Sequence, residues 1–311
     1  MGEFELIAAI KQLCTTLPTN DFEGIGDDCA VLEIGGGESL VFTSDALCEG
    51  VHFLRAATSA HEIGHKTLAV NLSDVAAMGV RPIAVLLSLS LPEGLPEGWI
   101  EAFMDGFTAL ARQHNVALVG GDTTRSEHGI ILNVTAIGRG PSKHLKRRRD
   151  ARVGDIILVS DRLGGSAAGL KAILSERYDT LAAHIHRTPQ PEVEVGAWLG
   201  AREEVHAMMD ISDGIASDLR HILTASQVGA EVELTAIPLD EGATIDEATT
   251  GGEDYKLLLT VEAERCTTLQ QDFEAQFHRP LYPIGRITHD GLIWRRNNIA
   301  ETRDLHGFCH F

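Results

Sequence analysis

Acidic side chains recur through this sequence beside glycines and hydroxyls, a combination whose chemistry is the holding of hard cations and phosphates. The first instance is Gly24-Ile25-Gly26-Asp27-Asp28-Cys29-Ala30-Val31-Leu32. Its glycines let a backbone turn tightly and approach a ligand. Its paired carboxylates are the oxygen ligands that Mg²⁺ takes alongside substrate phosphates, and the apolar run reads as a buried strand. A solvated hairpin has the same composition, so the recurrence is what favours the first reading. Thr43-Ser44-Asp45, Asn71-Leu72-Ser73-Asp74, Gly120-Gly121-Asp122, Asp210-Ile211-Ser212-Asp213-Gly214 and Gly251-Gly252-Glu253-Asp254 repeat the theme.

The formal net charge of −19 excludes a nucleic-acid surface, which needs a basic stripe. A phosphate meeting these acids unaided is repelled by about 4 kcal/mol per close charge pair at an effective dielectric near 20. Either the acids are plain surface, or divalent cations stand between them and the phosphates. The 311 residues exceed what one core fills, so two domains are expected. With 44% hydrophobic and 23% charged residues the chain reads as globular. The acidic start lacks a signal peptide, and the apolar run over 84–91 is too short to span a bilayer. Five scattered cysteines without C-x-x-C point to reduced thiols in a cytoplasm. No zinc hydrolase is expected of the fourteen histidines, no G-x-S-x-G elbow is present, and His52 reads as a packed or exposed histidine.

The elements that must position these residues follow from periodicity. Residues 3–14 space Phe4, Leu6, Ile7, Ile10 and Leu13 as an amphipathic helix. Strands at 30–34 and 40–43 pair around Gly35-Gly36-Gly37, which puts Thr43-Ser44-Asp45 at a strand end, as ligands or as a cap. In a helix over 59–78, Asp74 shares the line of Val70 and Met78. On that apolar face it needs a partner, either Lys66 or a metal. A strand (83–91), an amphipathic helix (97–112) and a short buried strand (116–119) come next. The last ends in Gly120-Gly121-Asp122-Thr123-Thr124, where α/β sheets gather ligands. Another strand covers 130–138. Residues 140–155 form the boundary, and Lys146-Arg147-Arg148-Arg149 reads as a solvated linker from which one arginine could grip a phosphate.

Beyond the boundary, strands at 156–159, 232–234, 255–261 and 282–287 alternate with helices at 215–225 and 263–277. Leu163-Gly164-Gly165-Ser166-Ala167-Ala168-Gly169-Leu170 lacks the G-x-x-x-x-G-K-[ST] pattern, so its small residues read as packing a helix on the sheet. Before the helix at 215, Ser212 or Asp213 is an N-cap; alternatively the helix end takes phosphate beside a metal on Asp210.

Taken in order, the motifs resemble those of the thiamine-monophosphate kinases. They are GEFELI at 2–7, GIGDDCAVL at 24–32, TSDALCEGVHF at 43–53, KTLAVNLSDVAAMGVRP at 66–82, GGDTT at 120–124, GDIILVS at 154–160, GGSAAGL at 164–170, MDISDGIASDLRHI at 209–222 and GGEDYKLLLT at 251–260. The resemblance implies the two-domain α/β fold, with mixed sheets, of the aminoimidazole ribonucleotide synthetase-like superfamily. Its N-terminal domain (1–140) dimerises through its sheet, and a linker (141–154) leads to the C-terminal domain (155–311). It implies Mg²⁺-dependent transfer of the ATP γ-phosphoryl group to thiamine monophosphate. By motif, Asp28, Thr43, Ser44, Asp45, Asp74, Asp122, Asp210 and Asp213 hold Mg²⁺, and Gly121, Arg148 and Ser212 contact ATP. His52 and Glu253 meet the thiamine end and Phe308 stacks on a substrate ring. Three positions depart from the family pattern: Phe308 for tyrosine, Asp150 for a small residue, and Lys256 for glutamate. The implied acceptor is a phosphate monoester that already carries a nucleophilic oxygen, so no general base is required. Two other readings remain: a sister ATP-using enzyme of the superfamily, or a cation- or nucleotide-binding protein without catalysis.

Overall fold

The computed structural model describes residues 2–302 and 305–308; Cys309 lies outside them. After helix α1 (Glu3–Leu13), the first half builds one six-stranded sheet from β1 (Phe22–Glu23), β2 (Ala30–Gly35), β3 (Glu38–Cys48), β4 (Arg81–Leu91), β5 (Ala117–Arg125) and β6 (Ile131–Pro141). The order is β1-β2-β3-β6-β4-β5. All neighbours are antiparallel except β4 and β5, which α3 (Trp99–Gln113) joins as a crossover. Alternating residues Leu132, Val134 and Ala136 of β6 are buried on one face, in one core with α2 (Ala60–Ala77) and α3. Among the described residues no element covers the other face, where Leu86 and Ile131 are 38% and 41% exposed.

Several sequence expectations change here. Thr43-Ser44-Asp45 sits in the middle of a long strand, not at its end. The strand predicted at 116–119 extends through the whole GGDTT motif and is an exposed edge, not a buried strand. On α1 the apolar residues Leu6, Ile7, Ile10 and Leu13 are exposed instead of packing on a core.

The second half holds a seven-stranded sheet: β7 (Ile156–Val159), β8 (Val205–Asp210), β9 (Gly229–Glu233), β10 (Leu257–Val261), β11 (Tyr282–Thr288), β12 (Leu292–Arg296) and β13 (Ile299–Ala300). Helices α4 (Gly165–Leu174), α5 (Leu181–Arg187), α6 (Val193–Gly200), α7 (Ile215–Ser226), α8 (Ile245–Thr250) and α9 (Cys266–Phe277) connect them. The alternation of strands and helices makes β7, β8 and β9 point the same way. The later strands β10 and β11 then slot between them, which makes the sheet antiparallel except for the β9–β12 pair. The small residues of α4 pack it on α5, not on the sheet: a Cβ at Gly169 would lie 2.1 Å from the carbonyl of Ala182. The basic run is not a solvated linker either. Lys146 is buried with its Nζ donating to the carbonyls of Arg202 and Val205, while Arg147 and Arg149 both pair with Glu23.

Candidate active site

A cavity of about 750 Å³ opens between the two sheets, lined from both halves of the chain. Its acidic floor gathers residues that are far apart in sequence. Asp28 comes from the loop before β2, Asp45 from β3, Asp74 from the last turn of α2 and Asp210 from the end of β8. The carboxylate oxygens of Asp28, Asp74 and Asp210 lie within 4.8 Å of one another. The Thr43 hydroxyl donates to Asp74 Oδ2 at 2.5 Å and the Ser73 hydroxyl to Asp210 Oδ2 at 2.5 Å. Asn71 Oδ1 accepts the Asp45 backbone N–H at 3.0 Å, fixing the strand against the helix.

Burial, and then mutual repulsion, pushes these acids upward. Asp74 stands well above the carboxylate range through burial and its neighbours Asp45, Asp210 and Asp28. Asp45 and Asp28 are raised chiefly by burial, and Asp210 reaches about 8, by burial and then Asp28. Arg148 donates to Asp28 Oδ1 at 2.5 Å, while Asp28 Oδ2 is buried without a partner among the described residues. Oxygen donors crowded at this spacing, one of them unsatisfied, are the donor set that a divalent cation needs. Arg148 is the one arginine of the run that lines the cavity. Asp74 is not held by Lys66, which turns to Glu253 instead.

Ser212, Asp213, His52, Glu253 and Phe308 also line the cavity. The N-cap before α7 is Gly214, not Ser212 or Asp213, and it makes no side-chain cap bond. Asp213 forms a second group with Asp218 and His221, whose ligand atoms lie within 4.8 Å of one another. His52 Nδ1 accepts the Cys48 N–H at 3.0 Å, so the neutral ring carries its proton on Nε2. The N-terminus of α4, in the glycine-rich stretch, is already taken: Asp254 accepts the N–H groups of Gly164 and Ser166.

Three predicted residues are not brought to the cavity by this chain. Ala46, Asn133, Ser88 and Asp122 are successive partners across four strands, so Asp122 projects from the open face of the sheet, opposite to Asp45. Ser44 faces the same way and bonds Asn133 and Thr135. Gly121 is in the row of Asp45 but three strands away, roughly 14 Å.

The sequence reading gave Lys66 to Asp74 and passed over Ser166 and His186; in the structure Lys66 and His186 pair with Glu253 and Ser166 bonds His186, contacts that only the approach of distant elements reveals. It also took an H-E-x-x-H pair to be absent, which is wrong: His61-Glu62-Ile63-Gly64-His65 carries the pattern. No zinc site follows from it. Glu62 caps α2 and pairs with Arg187, His65 Nε2 bonds the Pro189 carbonyl and His61 faces Asp105.

Residues 26–140 match the family model described as AIR synthase related protein, N-terminal domain, and residues 152–294 match the corresponding C-terminal domain. The thiamine-monophosphate kinase of Salmonella typhimurium is 38% identical over 327 aligned positions, covering 100% of this chain and 98% of that one. Among solved structures, AaThiL complexed with AMPPCP and TMP superimposes with a TM-score of 0.86 at 31% identity, over 100% of this chain and 97% of that one. The thiamine-monophosphate kinase of Stenotrophomonas maltophilia does so with 0.77 at 41% identity, over 96% and 98%.

Proposed function

From the premise that this chain belongs to the thiamine-monophosphate kinase family, we propose how its acidic floor carries out the reaction. The chain is an ATP-dependent phosphotransferase: it transfers the γ-phosphoryl group of ATP to thiamine monophosphate, giving thiamine diphosphate and ADP. The observation that carries the site assignment is the convergence of Asp28, Asp74 and Asp210, from three separate elements, within 4.8 Å.

In this reading Asp28, Thr43, Asp45, Asp74, Asp210 and Asp213 hold Mg²⁺. Bound there, Mg²⁺ supplies the positive charge that offsets the phosphates of both substrates. Arg148, steered by Asp28, faces the ATP phosphates, and the Ser212 loop lies beside them. His52 and Glu253 take the thiamine end, and Phe308 covers a ring. No side chain has to remove a proton, because the acceptor phosphate, with a second pKa near 6, already presents an anionic oxygen at neutral pH. The chain's task is to hold two polyanions in line, which is positioning joined to charge compensation.

We infer three finer assignments on the same reading. The chain divides at 141–154 into domains 1–140 and 155–311, which its two sheets support. It works in the cytoplasm, in keeping with free thiols at Cys14, Cys29, Cys48 and Cys266. It forms a homodimer through the open face of the first sheet, which would cover Leu86 and Ile131 and bring Ser44, Gly121 and Asp122 to a shared boundary. Incubation with ATP, Mg²⁺ and thiamine monophosphate, followed by chromatography for thiamine diphosphate, tests the activity. Counting bound Mn²⁺ by electron paramagnetic resonance in the wild type and in Asp210→Asn tests the metal assignment apart from turnover, with fewer ions expected in the variant.

A further inference from the structure

Lys66 is 1% exposed on α2, in the first half of the chain. Its Nζ donates at 2.9 Å to the carbonyl of His52 and at 2.9 Å to Glu253 Oε2 in the second half. Glu253 stands on a non-glycine backbone with φ of +67°, held by its N–H to the Ser212 carbonyl at 2.7 Å. His186 Nδ1 lies 3.4 Å from the same Glu253 oxygen and 2.9 Å from the Ser166 hydroxyl. Glu253 Oε1 is buried with no partner among the described residues, although the residue lines the cavity.

We propose that Lys66 is the positioning residue of the acceptor pocket. Its ammonium fixes the ionised Glu253 so that Oε1 is presented to the N–H donor or cationic ring of the thiamine end. A buried carboxylate left alone takes up a proton and rotates to find a partner. Here the fixed cation pulls Glu253 below the usual carboxylate range although burial pushes it up. His186 cannot replace that charge, because burial and then Lys66 lower it to about 4. Lys66 also ties the His52 carbonyl, so one side chain sets the two residues assigned to the thiamine end from opposite halves of the chain. The inference rests on the reading that Glu253 meets that end.

The test is steady-state kinetics and thermal melting of the full chain for Glu253→Gln, Lys66→Met and the double variant, with each substrate varied in turn. A lost hydrogen bond to a charged group corresponds to about a 10–100-fold effect. We expect Glu253→Gln and Lys66→Met each to raise the KM for thiamine monophosphate by that much and leave the KM for ATP within twofold. The double variant should match Glu253→Gln within about threefold, since Lys66 acts through Glu253. A normal acceptor KM in Lys66→Met beside an impaired Glu253→Gln overturns the inference alone, whatever the melting temperature. A normal KM in Glu253→Gln overturns both the inference and the reading beneath it. If Lys66→Met fails to fold around a lone buried carboxylate, the neutral double variant is compared with Glu253→Gln. A further tenfold rise there overturns the proposal.

Discussion

At Asp74 and Asp210 a hydroxyl already donates to one carboxylate oxygen, which orients the other for a cation. Replacing either aspartate by asparagine keeps the volume and removes the charge. We expect turnover to fall about 10²–10³-fold, the range for losing one preorganised electrostatic group, with the melting temperature unchanged or raised. Single-turnover assays at saturating Mg²⁺ check this, and near-normal rates would count against the metal assignment. Arg148→Met should raise the KM for ATP about 10–100-fold while sparing the acceptor, as initial rates at varied ATP would show. The acids were legible in the sequence because each stands in a short motif with glycine or a hydroxyl. Lys66 and His186 were not, because their meaning lies in a contact with Glu253 across 187 and 67 positions, respectively.

Among the elements, α2 was read to within a residue at each end, 59–78 against Ala60–Ala77, and the structure adds the capping box at Ser59 that sets its start. The error at Thr43-Ser44-Asp45 came from treating its polar residues as a strand end. They interrupt the apolar alternation because they face the acids and the open sheet, not because the strand stops. The closeness of α2 and α3 depends on paired glycines, since a Cβ at Gly106 would lie 1.9 Å from the His61 carbonyl and one at Gly64 1.9 Å from that of Phe103. Gly106→Ala should therefore cost about 1–3 kcal/mol, the range for overpacking a core, read as a lowered midpoint in urea. Because Asp74 rides on α2, the same variant should weaken Mn²⁺ binding, while an alanine at exposed Gly36 position would not be an informative control given its positive φ.

For the whole molecule, the raised acids link stability to pH. Asp210, at about 8 by burial and Asp28, and Asp27, at about 7 by burial and Asp28, bind protons more tightly folded than unfolded, where carboxylates titrate near 3.8. Between pH 4 and 8 the folded state therefore holds more protons, and stability falls as pH rises. Metal-free protein should melt highest near pH 5 and progressively lower toward pH 8 in differential scanning calorimetry. Added Mg²⁺ should stabilise it more at pH 8 than at pH 5.5, since binding must displace those protons. A melting point that is flat or climbs over this range without metal would contradict the cluster. In the periodicity the two-sheet architecture was legible only as alternating strands and helices; the mixed sheets came from the family resemblance. Strand insertion is a long-range choice that local pattern does not encode, which is why the antiparallel order of the second sheet was not foreseen.

Helix α2 carries Lys66, which grips Glu253, and Asp74 on the acidic floor, eight residues along one rigid rod. At 1.5 Å per residue that is a ruler of about 12 Å. On the proposed assignment, a guest anchored by its ring at one mark touches the other only if its tail is long enough, so the site would measure length as well as charge. Thiamine that ends in a bare hydroxyl should fall short and remain unphosphorylated, however much is supplied.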